Sequence, residues 1–345
     1  MELNVTRLSL TILFLIGVST PSLVADLNVG AGKIDFQEIT PKSRAAVSRG
    51  LTFLAKQQTE DGSFGGNRYG RNVGITSLAC LAFMADGHVP GRGKYGKNVE
   101  KGLEFVLEKA QPTGLIAFDT SHGPMYGHGF ATLFLGEVYG MTGNKKVREK
   151  LVKAVRLIVN TQNDEGGWRY QPRPIDADLS VTICQIMALR SARNAGLSVP
   201  KDTINKAITY VRRCQNAHDG GFRYMLNSGG SAFPRSAAGV ASLYYAGVYE
   251  DDALKKGLDY LMRNKRYINN QGVGHYWYGH YYAVQAIYLA GGKYWKEWFP
   301  AIRDELINQQ HADGKWMSPH GEVYASSMAL IIIQVPNRYL PIFQK

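Results

Sequence analysis

The sequence predicts an all-α protein built as an (α/α)6 toroid, six helix pairs closed into a ring with the more apolar helix of each pair inside. Three observations lead there. A turn-forming Gly-aromatic loop preceded by glutamine recurs: Gln57-Gln58 leads to Asp61-Gly62-Ser63-Phe64, Gln162 to Gly166-Gly167-Trp168, Gln215 to Asp219-Gly220-Gly221-Phe222, and Gln310 to Asp313-Gly314-Lys315-Trp316. Each loop follows an amphipathic stretch with a charged face and precedes a stretch that is apolar nearly all round. A helix without a polar face has to be buried, so six apolar segments alternating with six half-exposed ones imply two concentric layers.

The elements follow in order. Residues 1–25 carry Arg7, an apolar run over 8–18 and small residues up to Ala25, the layout of a secretory signal peptide whose core is too short to span a bilayer. Residues 26–38 read as a linker and 39–345 as the toroid. The protein is expected to be exported, periplasmic or extracellular, with no integral membrane segment once the signal is removed. The amphipathic helices are clearest over 145–161 and 202–213, where apolar residues recur at helical spacing. The apolar helices are expected over 74–85, 129–139, 179–189, 237–246, 281–290 and 325–333. Degenerate loops fill the gaps, one from Gln111 to Phe118 and one around Gln271 to Tyr276. The aromatics at 64, 118, 168, 222, 276 and 316 then lie about 40 to 54 residues apart, the range of repeat architectures.

Composition narrows the function. The chain has 345 residues, 45% of them hydrophobic, enough for one large core and unlike a disordered protein. Its net charge of +12 comes from Lys and Arg spread along the amphipathic helices, which describes a solvated face and no nucleic-acid site. Cys80, Cys184 and Cys214 are odd in number, two sit in apolar runs, and no CxxC spacing occurs, so they read as buried small hydrophobes.

The alternation of helix directions puts every inner-helix N-terminus at one mouth of the ring. Each such end favours an anion by about 0.3–1 kcal/mol, so a small anionic ligand, or an apolar one in the aliphatic interior, is the expected partner. The side chains at those starts are Arg71, Asn72, His128, Asp176, Asp178, Arg235, His280, His320 and Tyr324. Arg71, Asn72, His128, Arg235, His280 and Tyr324 are the ligand-binding candidates. Structural roles fit the same residues: Asp178 as an N-cap, the histidines as caps packed on loop aromatics, the arginines as rim ion pairs. Loops 111–127, 224–234 and 267–279 exceed what a connector needs, gather at the same end, and are rich in Gly, His and aromatics.

The Gln…(Asp/Glu)-Gly-Gly-(Trp/Phe) loops followed by small-residue apolar helices resemble the repeats of squalene and hopene cyclases and of protein prenyltransferase β subunits, over roughly 39–334. The resemblance implies a ring of six units and an isoprenoid-like ligand in its centre, handled by a terpenoid cyclase or a transferase-like enzyme. In such cyclases an Asp-x-Asp-Asp-Thr segment at an inner-helix start supplies the protonating acid. Asp176-Ala177-Asp178-Leu179-Ser180 keeps the first two acids, with Asp178 as donor, but Leu179 replaces the last; in the other register Ser180 and Val181 stand where acids belong. In the prenyltransferases an Asp-x-Cys and a later His hold a catalytic zinc. Asp178-Leu179-Ser180 and His280-Tyr281-Tyr282 match in spacing, with Ser180 in place of the thiolate. No cofactor is therefore expected by motif, and Asp178, His128 and His280 form the alternative zinc set. Two other functions stay open: a lyase or hydrolase on an acidic glycan, with Arg71 or Arg235 neutralising uronate, and a non-catalytic protein-binding scaffold.

Overall fold

The computed structural model describes residues 38–66, 69–120, 122–269 and 274–344. The predicted signal segment, and the linker apart from Glu38, lie outside the described residues. Glu38 itself belongs to the fold, accepting from Trp295 Nε1 through its carboxylate and from Arg303 Nη1 through its carbonyl. No helix among the described residues is long and apolar enough to cross a membrane.

Twelve α-helices and no strands are found among the described residues. The inner six are α2 (Val73–Met84), α4 (Met125–Thr142), α6 (Leu179–Asn194), α8 (Phe233–Ala246), α10 (Tyr276–Ala290) and α12 (Glu322–Gln334). The outer six are α1 (Pro41–Gln57), α3 (Gly96–Glu108), α5 (Lys145–Asn160), α7 (Lys201–Cys214), α9 (Asp252–Arg263) and α11 (Gly292–Gln309). Each inner helix packs on the next, and α12 returns to α2, so the inner layer is a closed ring. Burial follows the two sequence patterns. Every residue of α2 is buried, whereas α5 buries only Val147, Leu151, Ala154, Val155 and Ile158, one stripe at helical spacing under a lysine- and arginine-rich face.

The repeated loop explains why glutamine, glycine and an aromatic recur. Gln162 donates from Nε2 to the Gly166 carbonyl of its own loop and to the Thr203 carbonyl at the start of the next outer helix, at 2.8 and 2.9 Å. Gln58, Gln215 and Gln310 repeat the clamp. Gln310 reaches Ala46 of α1 and so closes the ring. The loop glycine lies over the next outer helix: at Gly314, with φ +94°, a Cβ would stand 2.5 Å from the Arg49 carbonyl. Only glycine tolerates both that conformation and that approach.

A second recurring bond ties each loop to its inner helix. The backbone N–H of Phe64, Trp168, Phe222 and Trp316 donates to the hydroxyl of Thr76, Thr182, Ser236 and Ser326 respectively. In the second unit the acceptor is His128 Nδ1 and the donor is the N–H of Ile116, at 3.1 Å. Ile116, fully buried, therefore holds the place expected of Phe118, while Phe118 lies partly buried beneath Arg71 and Lys109. Tyr276 also differs from expectation: it begins α10 and is not a loop residue.

The chain end covers the opposite end of the ring. Gln334 and Asn337 donate to the carbonyls of Ala82 and Ala85 at the end of α2. The Ile342 N–H donates to Glu137 Oε2 of α4 at 3.0 Å, and Leu340, Ile342 and Phe343 are buried.

Candidate functional site

Asp178 caps α6, its Oδ1 accepting from the Val181 N–H at 2.9 Å, and its own N–H donates to the Trp168 carbonyl at 3.0 Å. The side chain is completely buried. Its Oδ2 accepts from the Tyr224 hydroxyl at 3.2 Å and stands 3.7 Å from Arg169 Nε. Burial raises this carboxyl to about 6, against the opposing pull of the Val181 N–H, the Tyr224 hydroxyl and the Arg169 charge. Asp176 is half exposed and ion-paired to Arg169, so it holds the guanidinium that flanks Asp178.

Tyr224 in turn bonds Tyr170, hydroxyl to hydroxyl. The backbone sets both tyrosines in place: the Tyr170 carbonyl accepts from the first N–H of α4, and the Tyr224 carbonyl from the first N–H of α6. A residue two places beyond one unit's loop aromatic thus sits on the inner helix of the preceding unit, at the mouth.

Two pockets, here called lobes, open there side by side and share part of their lining. A polar lobe of about 440 Å³ is lined by Tyr170, Ser180, Tyr224, Arg235 and Tyr267, among others. A more apolar lobe of about 310 Å³ runs between Ile75, Leu78 and Phe130, with Tyr69, Asn72, His320 and Tyr324 around it. Tyr126, Tyr170, His275 and Tyr278 line both. These volumes suit one small organic ligand. All six inner helices contribute: Ile75 and Leu78 from α2, Tyr126 and Phe130 from α4, Ser180 from α6, Arg235 from α8, Tyr278 from α10 and Tyr324 from α12.

The structure sorts the predicted residues. Asn72, Arg235 and Tyr324 line the lobes; Asn72 also caps α2, accepting from the Gly74 and Ile75 N–H groups. Arg71 is instead exposed, paired with Asp61 at 3.1 Å, and lines neither lobe. Asp178 does not line the cavity either; it reaches it through Tyr224. His128 and His280 require correction. Both are buried and turned away from the mouth: His128 holds the Ile116 N–H, and His280 Nε2 meets the Tyr267 carbonyl at 3.0 Å within a shell of Phe233, Tyr276 and Trp298. Burial pushes each imidazole down to about 4, partly opposed by the Ala154 carbonyl at His128 and the Tyr267 carbonyl at His280, so both are neutral fasteners. The zinc set fails with them. One nitrogen of each ring is held by its own loop, Ser180 offers no thiolate, and among the described residues no three His, Cys, Asp or Glu side chains are grouped to hold a metal ion. The three cysteines are free and buried, as expected.

Sequence reasoning offered Tyr126, Tyr224 and Tyr278 only as part of the aromatic-rich loops 111–127, 224–234 and 267–279, and missed Tyr170 and Arg169. One signal was present: Trp168-Arg169-Tyr170 and Phe222-Arg223-Tyr224 are the same aromatic-Arg-Tyr tripeptide, 54 residues apart, and their tyrosines meet.

No protein-family model and no curated protein sequence matches the chain. Solved structures do. The type II terpene cyclase MstE from Scytonema aligns with a TM-score of 0.61 at 12% identity, over 87% of this chain and 100% of that one. Cellobiose 2-epimerase from Bacillus thermoamylovorans B4167 aligns at 0.65 and 14%, over 86% and 98%. The α-1,6-mannanase GH76A of Salegentibacter sp. HEL1_6 aligns at 0.62 and 8%, over 88% and 100%. The fold is an α/α toroid. At these identities the likeness concerns the fold alone, and it joins proteins of different chemistry.

Proposed function

We propose that the central cavity takes an apolar, isoprenoid-like ligand bearing a polar end, and that Asp178 is the acid of a proton-transfer reaction at that end. The observation that carries this reading is the placing of an apolar lobe at Ile75, Leu78 and Phe130 beside a polar lobe into which Asp178 connects through Tyr224, with Tyr126, Tyr170, His275 and Tyr278 lining both. The neighbouring fold of a terpene cyclase, described with geranylgeranyl dihydroxybenzoate as substrate, supports it.

The residues form a proton relay. With Asp178 protonated, the Tyr224 hydroxyl turns its hydrogen from Asp178 Oδ2 to the Tyr170 oxygen and accepts from the acid; the Asp178 proton then passes to the Tyr224 oxygen, the Tyr224 proton to the Tyr170 oxygen, and the Tyr170 proton to the ligand, leaving the Asp178 carboxylate beside the Arg169 guanidinium that Asp176 holds. An acid near 6 is well matched to general acid catalysis close to neutral pH. It is too weak for an unactivated alkene, so the acceptor is an oxygen, such as that of a terminal epoxide: its C–O bond breaks as the oxygen takes the proton, and the cation left on carbon closes onto a chain double bond or directly loses a proton to water, so that the product is an isomer of the substrate. The test is incubation with a polyprenyl epoxide and analysis of products by mass spectrometry. Wild type should isomerise it, Tyr224→Phe should be slowed at least about tenfold by losing the relay, and Asp178→Asn should be inactive. Unchanged turnover in Asp178→Asn would sink the mechanism.

A glycan-active reading draws on His122, His275 and His320 at the rim and on the epimerase and mannanase neighbours. A two-carboxylate hydrolase fits less well, because among the described residues the lining of neither lobe includes Asp or Glu. Epimerisation of a disaccharide with no reaction of the polyprenyl epoxide would decide for it. Export, read from residues 1–25, belongs to the same proposal, and cell fractionation tests it.

A further inference from the structure

The polar lobe contains one feature that the proton relay leaves unused. Arg235, in the first turn of α8, is the one Lys or Arg among the described residues that line either lobe. It makes no hydrogen bond or ion pair among the described residues, and its Nε is buried without a partner. The other arginines near the mouth differ: Arg71 is paired with Asp61, and Arg169 with Asp176. No Asp or Glu is found among the described residues of either lining, so no carboxylate of the lining faces Arg235. The helix end adds to its positive charge. No side chain caps α8, and its cap residue Ala232 and second residue Pro234 line the same lobe.

We propose that Arg235 binds a carboxylate carried beside the reacting oxygen at the polar end of the ligand, which makes the ligand an apolar chain with a carboxylate at its reacting end. This rests on the apolar-ligand reading above and narrows its substrate class. The planar guanidinium presents its N–H groups in a fork that matches a carboxylate with two parallel hydrogen bonds. One guanidinium balances one negative charge. A diphosphate would bring excess charge into a lobe whose other polar groups are tyrosine hydroxyls, an imidazole and Ser180. Tyr126, Tyr170, His275 and Tyr278, shared by both lobes, let a single molecule run from Arg235 to the apolar wall at Ile75, Leu78 and Phe130.

Isothermal titration calorimetry of the full chain at pH 7.5 tests this with three probes of one chain length: dodecanoate, dodecanol and dodecyl phosphate. Dodecanoate should bind wild type at least about tenfold tighter than dodecanol, the margin of one charged hydrogen-bond pair. Arg235→Gln should erase that preference and keep the dodecanol affinity, and Arg235→Lys should keep part of it; an unchanged thermal midpoint shows that each variant is folded. Equal binding of acid and alcohol by wild type, or the same preference in Arg235→Gln, overturns the carboxylate site and leaves the apolar-ligand reading standing. Binding of dodecyl phosphate more than tenfold tighter than dodecanoate overturns the carboxylate assignment in favour of a dianionic head. Binding of none of the three sinks the apolar-ligand reading and this site together.

Discussion

Replacing Asp178 with asparagine separates its two roles, helix cap and acid. Asparagine retains an oxygen for the Val181 N–H and is as good an N-cap as aspartate. What it removes is the charge. Burial lifts the wild-type carboxyl from 3.8 to about 6. The sign follows from the unfolded chain ionising first: the contribution is whole below 3.8 and is lost as pH rises through 6. Integrated over that interval, the loss is about 3 kcal/mol. Asp178→Asn should therefore gain on wild type as pH rises, by about 1 kcal/mol at pH 4.5 and by up to about 3 kcal/mol at pH 8. Asp178→Ala, lacking the cap, should run about 1 kcal/mol below Asp178→Asn throughout. Urea unfolding followed by tryptophan fluorescence, repeated across this range for the three proteins, measures the differences directly. A wild-type-to-Asn difference that stays flat with pH, or an Asn variant less stable at pH 8, would refute the raised carboxyl and leave Asp178 as a cap alone.

Glu137 gives a similar signature beneath the chain end. It accepts from Ser191 Oγ at 2.6 Å and from the Ile342 N–H, and burial raises it from 4.5 to about 7. Wild type should lose stability from this group as pH rises from 4.5 through 7, and Glu137→Gln should be more stable than wild type at pH 8, by up to about 3 kcal/mol, and nearly equal to it near pH 3.5 in the same urea assay. His128→Ala should cost about 3 kcal/mol at pH 7.5 through the orphaned Ile116 N–H and the cavity left behind. Because the imidazole is held near 4, wild type should also lose stability as pH falls from 6.5 through 4, a slope absent from the alanine variant. Gly314→Ala, at the ring closure, should lower stability by more than about 2 kcal/mol. Gly143→Ala, with φ +66° and nothing within 4 Å of the added carbon, should cost only about 1 kcal/mol, read as thermal midpoints.

Much of the ring was legible because its repeated residues do repeated work. Gln162 and Gln310 each clamp two carbonyls, and Gly166 and Gly314 each lie over the next outer helix, so those residue types survive at fixed places. The second unit was misread at Phe118 because Ile116 fills the pocket with a non-aromatic chain and His128 replaces the usual hydroxyl. Helical spacing likewise marked His128 and His280 as residues of inner-helix starts, but both rings turn toward their loops and leave the mouth to tyrosines.

The sequence by itself determined the alternation of buried and half-exposed helices, the chemistry of the connecting loops, and the placing of Asp178 at the head of α6. Those are local properties, set by apolar periodicity, turn residues and capping within a few positions. Only the tertiary structure decided that Tyr224 and Tyr170 link Asp178 to the cavity, that Arg71 is paired and Arg235 is not, and that Ile75, Phe130 and Tyr324 face one another. These residues lie up to about 250 positions apart in the chain, and the closing of α12 onto α2 brings them to one opening. No local pattern records which side chains a closed ring turns toward its centre.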